Sequence, residues 1–346
     1  MRLLTVMLRG TALMGLLVGC APSRAPVTVH DLAVQDTVVE PVPPRVEYRL
    51  VVMGDQGTGR PEQRAVARAM QAVCREWGCD LGVGLGDNFY PSGPARVDSP
   101  LFRERFENLY GGLGFPFLMI PGNHDESLLW GGDGANPGGA EVQVAYSRVN
   151  SRWVMPDRFY RARLGKVAEV LAVDTAPLAA YLPSRRPQER PGGSWDVAQR
   201  AWLTQKATSS VAPWTFLLGH HPLFSNARHG EAGAYDRLPT AQQRGDAVHS
   251  LYRSVCGDVD VIFSGHDHAL QLFAPQPECP GTWQVVSGAA GQGESAQRGH
   301  RPALFQEFHQ PGFTWLRVNE SEVKLRFYTV GGNGTPTLAF EQAITK

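Results

Sequence analysis

From Tyr48 onward the chain is punctuated by short apolar runs that stop at glycine. Residues 50–53 end in Gly54-Asp55-Gln56-Gly57, residues 81–85 in Gly86-Asp87-Asn88-Phe89-Tyr90, and residues 117–120 in Pro121-Gly122-Asn123-His124-Asp125. Their length and flanking turn residues predict strands. After Pro61, Val66, Ala69, Met70, Val73 and Trp77 recur at helical spacing, and a second helix is expected over 101–110. The pattern returns in the second half, where 214–218 ends in Gly219-His220-His221-Pro222 and 259–263 leads to Gly265-His266-Asp267-His268. Two hairpins are expected, 159–164 with 167–173 and 313–318 with 323–330. Strands alternating with helices give an α/β fold and the hairpins add antiparallel pairs. The predicted architecture is two mixed β-sheets in a sandwich flanked by helices.

Five of the predicted strand ends carry Asp, Asn or His beside a glycine. Ligands of open α/β sheets bind outside the carboxyl ends of the strands, and glycine permits the sharp turns that bring side chains together there. The donors are carboxylates, imidazoles, one amide oxygen and one phenol, a mixture that suits iron, manganese or zinc better than calcium. One such motif alone is weak, because a Gly-Asp after a strand is often a turn and a single His is often structural. Five in this order point to one shared chemical site.

The chain begins differently. Arg2 and Arg9 precede an apolar run containing Leu13, Met14, Leu16, Leu17 and Val18, which stops at Cys20. The run is shorter than the ~20 residues of a bilayer-spanning helix, so 1–19 reads as a signal peptide. Leu17-Val18-Gly19-Cys20 resembles a bacterial lipobox, whose Cys is acylated and becomes the mature N-terminus. The plainer alternative is a secretory signal with a chance Cys. Residues 20–47, with Pro22, Pro26, Pro41, Pro43 and Pro44, then read as a lipidated Cys and a semi-rigid tether. A single domain is expected over 48–346. The location implied is the cell envelope, exported and lipid-anchored, with secretion as the alternative.

Composition narrows the reading further. Lys+Arg 33 and Asp+Glu 33 cancel formally, so the basic excess of an electrostatic nucleic-acid binder is missing. Hydrophobic residues at 42% and charged residues at 19% are those of a folded protein. Beyond Cys20 four cysteines remain, Cys74, Cys79, Cys256 and Cys279, none at zinc-site spacing. An even number in an exported domain suggests two disulfides. Three connectivities are open, and the sequence-local pairs 74–79 and 256–279 are favoured.

The strand-end motifs, taken together, resemble the calcineurin-like metallophosphoesterases, and among them the small tartrate-resistant type of purple acid phosphatase. Ala145-Tyr146-Ser147, Ser151-Arg152-Trp153 and Phe159-Tyr160 extend the similarity, and Tyr90 separates purple acid phosphatases from most other metallophosphoesterases. The resemblance implies two metal ions. Asp55, Asp87, Tyr90 and His268 would bind Fe3+; Asp87, Asn123, His220 and His266 would bind Fe2+, Zn2+ or Mn2+, with Asp87 bridging. His124 and His229 match the family's two non-ligand histidines, implied to bind phosphoryl oxygens and protonate the leaving alkoxide. Protonated imidazole is plentiful below about pH 6.5, which fits an acid optimum. Asp125 and Asp267 are expected to orient ligands, Asn88 to support a loop, and His221 to line or brace the site. His30, His249, His300 and His309 have no motif context and read as surface or structural.

The implied activity is an acid phosphatase, a monomer hydrolysing phosphate monoesters of small molecules or phosphoproteins by in-line attack of a metal-bound hydroxide. Two rivals remain open: a phosphodiesterase or pyrophosphohydrolase on the same scaffold, and a non-catalytic surface-binding lipoprotein. Residues 181–193 carry Pro183, Pro187 and Pro191 with Arg185, Arg186 and Arg190 and have no apolar face. They are expected to be a solvated connector, or, as in the resembled subgroup, a cover over the metal site, or a basic loop that binds the anionic end of a substrate.

Overall fold

The structure, a computed structural model, describes residues 36–346 apart from Trp130 and Glu294. The signal peptide, Cys20 and the first part of the expected tether lie outside the described residues. The strands are β1 (Val38–Val39), β2 (Glu47–Met53), β3 (Leu81–Leu85), β4 (Phe117–Ile120), β5 (Trp153–Val154), β6 (Tyr160–Leu164) and β7 (Ala168–Ala172). They continue as β8 (Trp214–Leu218), β9 (Val261–Ser264), β10 (Leu270–Phe273), β11 (Trp283–Ser287), β12 (Phe305–Glu307), β13 (Gly312–Asn319), β14 (Glu322–Val330) and β15 (Pro336–Thr345). One sheet has the order β15-β14-β13-β2-β3-β4-β5, the other β1-β6-β7-β8-β9-β11-β10-β12. Strands β2, β3, β4 and β5 are parallel, as are β7, β8, β9 and β11, while β13 to β15 and β10 with β12 add antiparallel pairs.

Both faces of the central strands are buried, which is why they read as unbroken apolar runs. Leu50 and Val52 of β2 meet Phe216, Phe263 and Leu325 in the core between the sheets. Their neighbours Val51 and Met53 point the other way, onto Val66, Met70 and Val73 of the helix Pro61–Trp77. On the outer face of the second sheet, Leu217 and Ile262 pack on Trp202 and Leu203 of helix Ser194–Ser209 and on Leu251 of helix Asp246–Arg253. The result is helix, sheet, sheet, helix, the layered α/β sandwich expected.

The first helix starts at Pro61, whose missing N–H is no loss there, and stops at Gly78, where φ is 77°. Cys74–Cys79 straddles that stop, and Cys256–Cys279 ties the end of helix Asp246–Arg253 to the segment before β11; both favoured pairs are present. The helical run 100–110 opens into a wider turn through Arg103–Glu107. The helices Gly138–Tyr146 and Asp246–Arg253 and strands β10, β11, β12 and β15 were not legible. β15 is a mostly exposed edge strand, so no buried stripe marks it. Among the described residues no helix is long and apolar enough to cross a membrane.

Two expectations need correction. The proline-rich segment is not a free tether up to residue 47: Val38 and Val39 pair with Arg161 and Ala162 of β6, and Val39 and Val42 pack on the central core. Asp36 accepts bonds from Arg161 at 2.7 Å and Trp202 at 3.3 Å and pairs with Lys206 at 2.9 Å. Valines between the prolines supply apolar contact, and an edge position tolerates the missing N–H groups. Residues 181–193 are likewise no plain solvated connector. Glu189 is buried against Arg158 at 3.0 Å, Arg186 pairs with Glu141, and Arg190 donates to the Ser184 carbonyl at 3.0 Å.

Candidate metal centre and active site

The carboxyl ends of β2, β3 and β4 in one sheet and of β8 and β9 in the other open onto one cleft of about 420 Å3. Turns immediately after these strands present Asp55, Asp87 with Tyr90, Asn123 with His124, His220, and His266 with His268. Asp55, Asp87 and His266 sit in left-handed backbone, with φ of 58°, 52° and 66°. Such strain, of order 1–3 kcal/mol per residue, persists where the surroundings fix it, characteristically at functional sites. Gly122 allows a close approach: a Cβ there would lie 2.3 Å from the Asp87 amide nitrogen.

The donors fall into two groups that meet at Asp87. The Tyr90 hydroxyl lies 2.9 Å from Asp87 Oδ2, 3.1 Å from Asp55 Oδ1 and 3.3 Å from His268 Nε2. Asn123 Oδ1 lies 2.8 Å from His220 Nε2 and 3.1 Å from His266 Nδ1, and His220 Nε2 is 3.4 Å from Asp87 Oδ1. All seven residues named from sequence therefore converge.

The arrangement fits cations. Asn123 is held by its Nδ2, which donates to the Gly132 carbonyl at 2.7 Å, and His220 by its Nδ1, which donates to the Leu85 carbonyl at 2.8 Å. Neutral His220 then turns the lone pair of Nε2 toward the acceptor oxygen of Asn123, a contact that a cation between them relieves. Asp55 and Asp87 are buried side by side, and among the described residues no Lys or Arg bonds to either. Burial, then the charge of Asp87, pushes Asp55 well above the usual carboxylate range. Burial also raises Asp87, but His220 and His124 outweigh it and hold the group below that range. Burial followed by both carboxylates pushes the Tyr90 phenol well up. Burial and crowding by other imidazoles push His266 well down, and His268 to about 3, so both are neutral and free to ligate.

Around this centre the supporting groups are where the sequence suggested. Asp125 accepts from the main-chain nitrogens of Gly122, Asn88 and Phe89 at 2.8 to 3.1 Å and binds no candidate ligand atom. Asp267 accepts from Ser225 Oγ at 2.6 Å and from the His229 nitrogen at 2.7 Å. Asn88 bridges two loops, with Nδ2 donating to the Ile120 carbonyl at 2.8 Å and Oδ1 accepting from Gln56. His221 is buried beside Thr175 Oγ1 at 2.9 Å and braces His266. His124 and His229 line the cleft outside the two groups just described. His229 and Asp236, however, each bring a possible ligand atom within 4.8 Å of one on His266, so that these three residues form a further cluster able to hold a cation. His124 packs at a tilt of 43° against the Tyr90 ring and donates Nδ1 to the Pro91 carbonyl at 2.9 Å.

Sequence reasoning missed the partners of His229. Its Nδ1 lies 3.0 Å from Asp236 Oδ1, and Tyr181 donates its hydroxyl to the other Asp236 oxygen. Burial lowers His229, but the Asp236 hydrogen bond and the charges of Asp267 and Asp236 outweigh it and hold the imidazole above its ordinary value. Gln292 is a further unread contact, with Nε2 3.0 Å from His268 Nδ1. Asp236 belongs to no motif; its nearness to His229 in a glycine-rich loop was the one available signal.

A two-sheet sandwich with acid, amide and imidazole donors at five strand ends is that of a metal-dependent phosphoesterase. The chain belongs to the calcineurin-like phosphoesterase family, whose model matches residues 48–270. It is 27% identical to tartrate-resistant acid phosphatase type 5 of Oryctolagus cuniculus, over 82% of this chain and 88% of that protein. To purple acid phosphatase 4 of Arabidopsis thaliana it is 28% identical, over 90% of this chain and 88% of that protein. Among solved structures it resembles the anchor protein of the Plasmodium inner membrane complex, with a TM-score of 0.67 at 15% identity over 87% and 89% of the two chains. A dimetal phosphatase from Danio rerio gives a TM-score of 0.51 at 12% identity over 86% and 98%. At these identities the solved structures speak for the fold alone.

Proposed function

We propose that the protein is a phosphatase of the purple acid type, acting on phosphate monoesters with two metal ions. The observation that carries this reading is the Tyr90 hydroxyl, 2.9 Å from Asp87, 3.1 Å from Asp55 and 3.3 Å from His268. A phenol among two carboxylates and an imidazole is a donor set for Fe3+, whereas Asn123, His220 and His266 with Asp87 suit Fe2+, Zn2+ or Mn2+. Bound there, the two ions would clamp phosphoryl oxygens and lower the pKa of the attacking water.

The chain's own residues do the rest. With Nδ1 engaged by the Pro91 carbonyl, His124 keeps Nε2 for a phosphoryl oxygen. His229, its Nδ1 on Asp236, keeps Nε2 for the leaving oxygen, and its raised pKa lets it hold the proton it must deliver. Activity needs that proton, so it declines as pH rises through the His229 pKa, which lies above the ordinary imidazole value. Two disulfides suit an oxidising compartment, in keeping with an exported protein anchored through a lipid at Cys20. Metal-loaded protein assayed on p-nitrophenyl phosphate and bis-p-nitrophenyl phosphate tests the reading. It expects the monoester to be hydrolysed with the higher kcat/KM; preference for the diester contradicts it.

A further inference from the structure

Beside the cleft lies a second hollow of about 340 Å3 that shares Arg228, His229 and Asp236 with it. Its wall holds four arginines, Arg228, Arg237, Arg298 and Arg301, against two carboxylates, Glu231 and Asp236. The carboxylates are already engaged. Glu231 pairs with Arg301 at 2.9 Å, and Asp236 serves His229 at 3.0 Å; Arg301 also has Glu278 at 3.2 Å. Arg228, Arg237 and Arg298 are exposed and form no ion pair among the described residues. Three like charges facing one hollow repel one another, and an oxyanion among them relieves that repulsion.

The wall is held in place by hydrogen bonds. Buried Asn226 donates Nδ2 to the Arg301 carbonyl and accepts at Oδ1 from the Arg301 nitrogen, both at 2.8 Å, and its own carbonyl accepts from the Arg298 nitrogen at 2.7 Å. The Arg228 nitrogen donates to Ser295 Oγ at 2.9 Å. Across the hollow, Asp236 and Arg237 are consecutive residues in left-handed backbone, with φ of 49° and 57°. This turn carries Asp236 to His229 and Arg237 to the hollow's wall, a conformation that non-glycine residues keep only when their surroundings impose it.

The geometry points to a leaving-group subsite: the preferred substrate is a phosphate monoester whose alcohol carries a second phosphate, held by Arg228, Arg237 and Arg298. This rests on the monoesterase reading, in which His229 protonates the leaving oxygen. The remainder of the alcohol extends past His229, and the hollow that shares this residue receives it. Guanidinium forks match phosphate oxygens in pairs. In the reaction, water oxygen bonds to the reacting phosphorus, the P–O ester bond breaks, and the leaving oxygen takes the His229 proton. The second phosphate is unchanged.

The test uses the metal-loaded full chain and esters of α,ω-alkanediols of three to six carbons, each as monophosphate and as bisphosphate. After correction for two equivalent ends, at least one bisphosphate should exceed its monophosphate in kcat/KM by about tenfold, mainly through KM, as one charge-assisted contact would give. The paired substitutions Arg237→Gln and Arg298→Gln should bring the corrected ratio to about one. Equilibrium titration with matched alkane bisphosphonates and monophosphonates should give the same preference without turnover. Equal efficiency on both esters overturns the subsite and leaves the monoesterase reading standing, whereas hydrolysis of neither overturns both. A preference that survives both substitutions, or a carboxylate-ended ester outcompeting the bisphosphate, also overturns it.

Discussion

Replacing Arg158 by Met should destabilise the fold more than any exposed charge could. Its guanidinium is buried between Asp174 at 2.7 Å, Glu189 at 3.0 Å and Glu126 at 3.2 Å, and stacks over Trp195. Removing one partner of a buried ion pair leaves a charge without compensation, a loss of about 3–5 kcal/mol. Here three carboxyls would lose their common cation. Burial already pushes Glu126 well above the usual carboxylate range, with Arg158 pulling it down and Asp174 and Glu189 adding to the rise. Without Arg158 that rise grows. A carboxyl whose pKa is raised in the folded state favours folding while protonated, and this contribution is lost as pH climbs above the unfolded value of about 4.3. The deficit of Arg158→Met should therefore be smallest at about pH 5 and larger at about pH 8, read by urea unfolding of both proteins across that range. A deficit under about 1 kcal/mol, or one that does not change with pH, would refute the reasoning.

Asp87→Ala should remove both metals and nearly all activity, while Asp55→Ala should retain more of the second metal, because only Asp87 faces both Tyr90 and His220; elemental analysis of the two variants distinguishes them. Trypsin should cut the 181–193 segment first after exposed Arg185, because Pro187 and Pro191 block the bonds after Arg186 and Arg190; mass spectrometry of the early fragments reads this directly, and first cuts elsewhere in the domain would contradict it. Cys20→Ser should release the protein from membranes with its phosphatase activity intact; a variant that still pelleted after a high-salt wash would end the lipid-anchor proposal.

The strands that carry the site were legible because the layers bury both of their faces. Leu81 to Leu85 had to be apolar throughout, and the ligands had to follow at once in the turn. The supporting acids could be read for the same reason, since Asp125 and Asp267 sit inside those turns. What the sequence hid depends on approach through space. Asp236 reaches His229 only because two left-handed residues fold the loop back. Arg158, Glu126, Asp174 and Glu189 form one buried network from segments with no common pattern. Residues 36–47 look like a linker in composition, yet three valines find a sheet edge and the core beside it.

The central claim is that a tyrosine among carboxylates and histidines makes this a ferric, dinuclear phosphatase site. The most direct measurement is metal analysis of purified protein together with its visible spectrum, compared with Tyr90→Phe. The ring of the variant still packs on His124, but it has no oxygen to offer a metal. The account predicts two metal ions per chain, at least one of them iron, and a visible charge-transfer band that disappears in Tyr90→Phe while the fold persists. An iron-free active enzyme, or a visible band that Tyr90→Phe leaves unchanged, would contradict it.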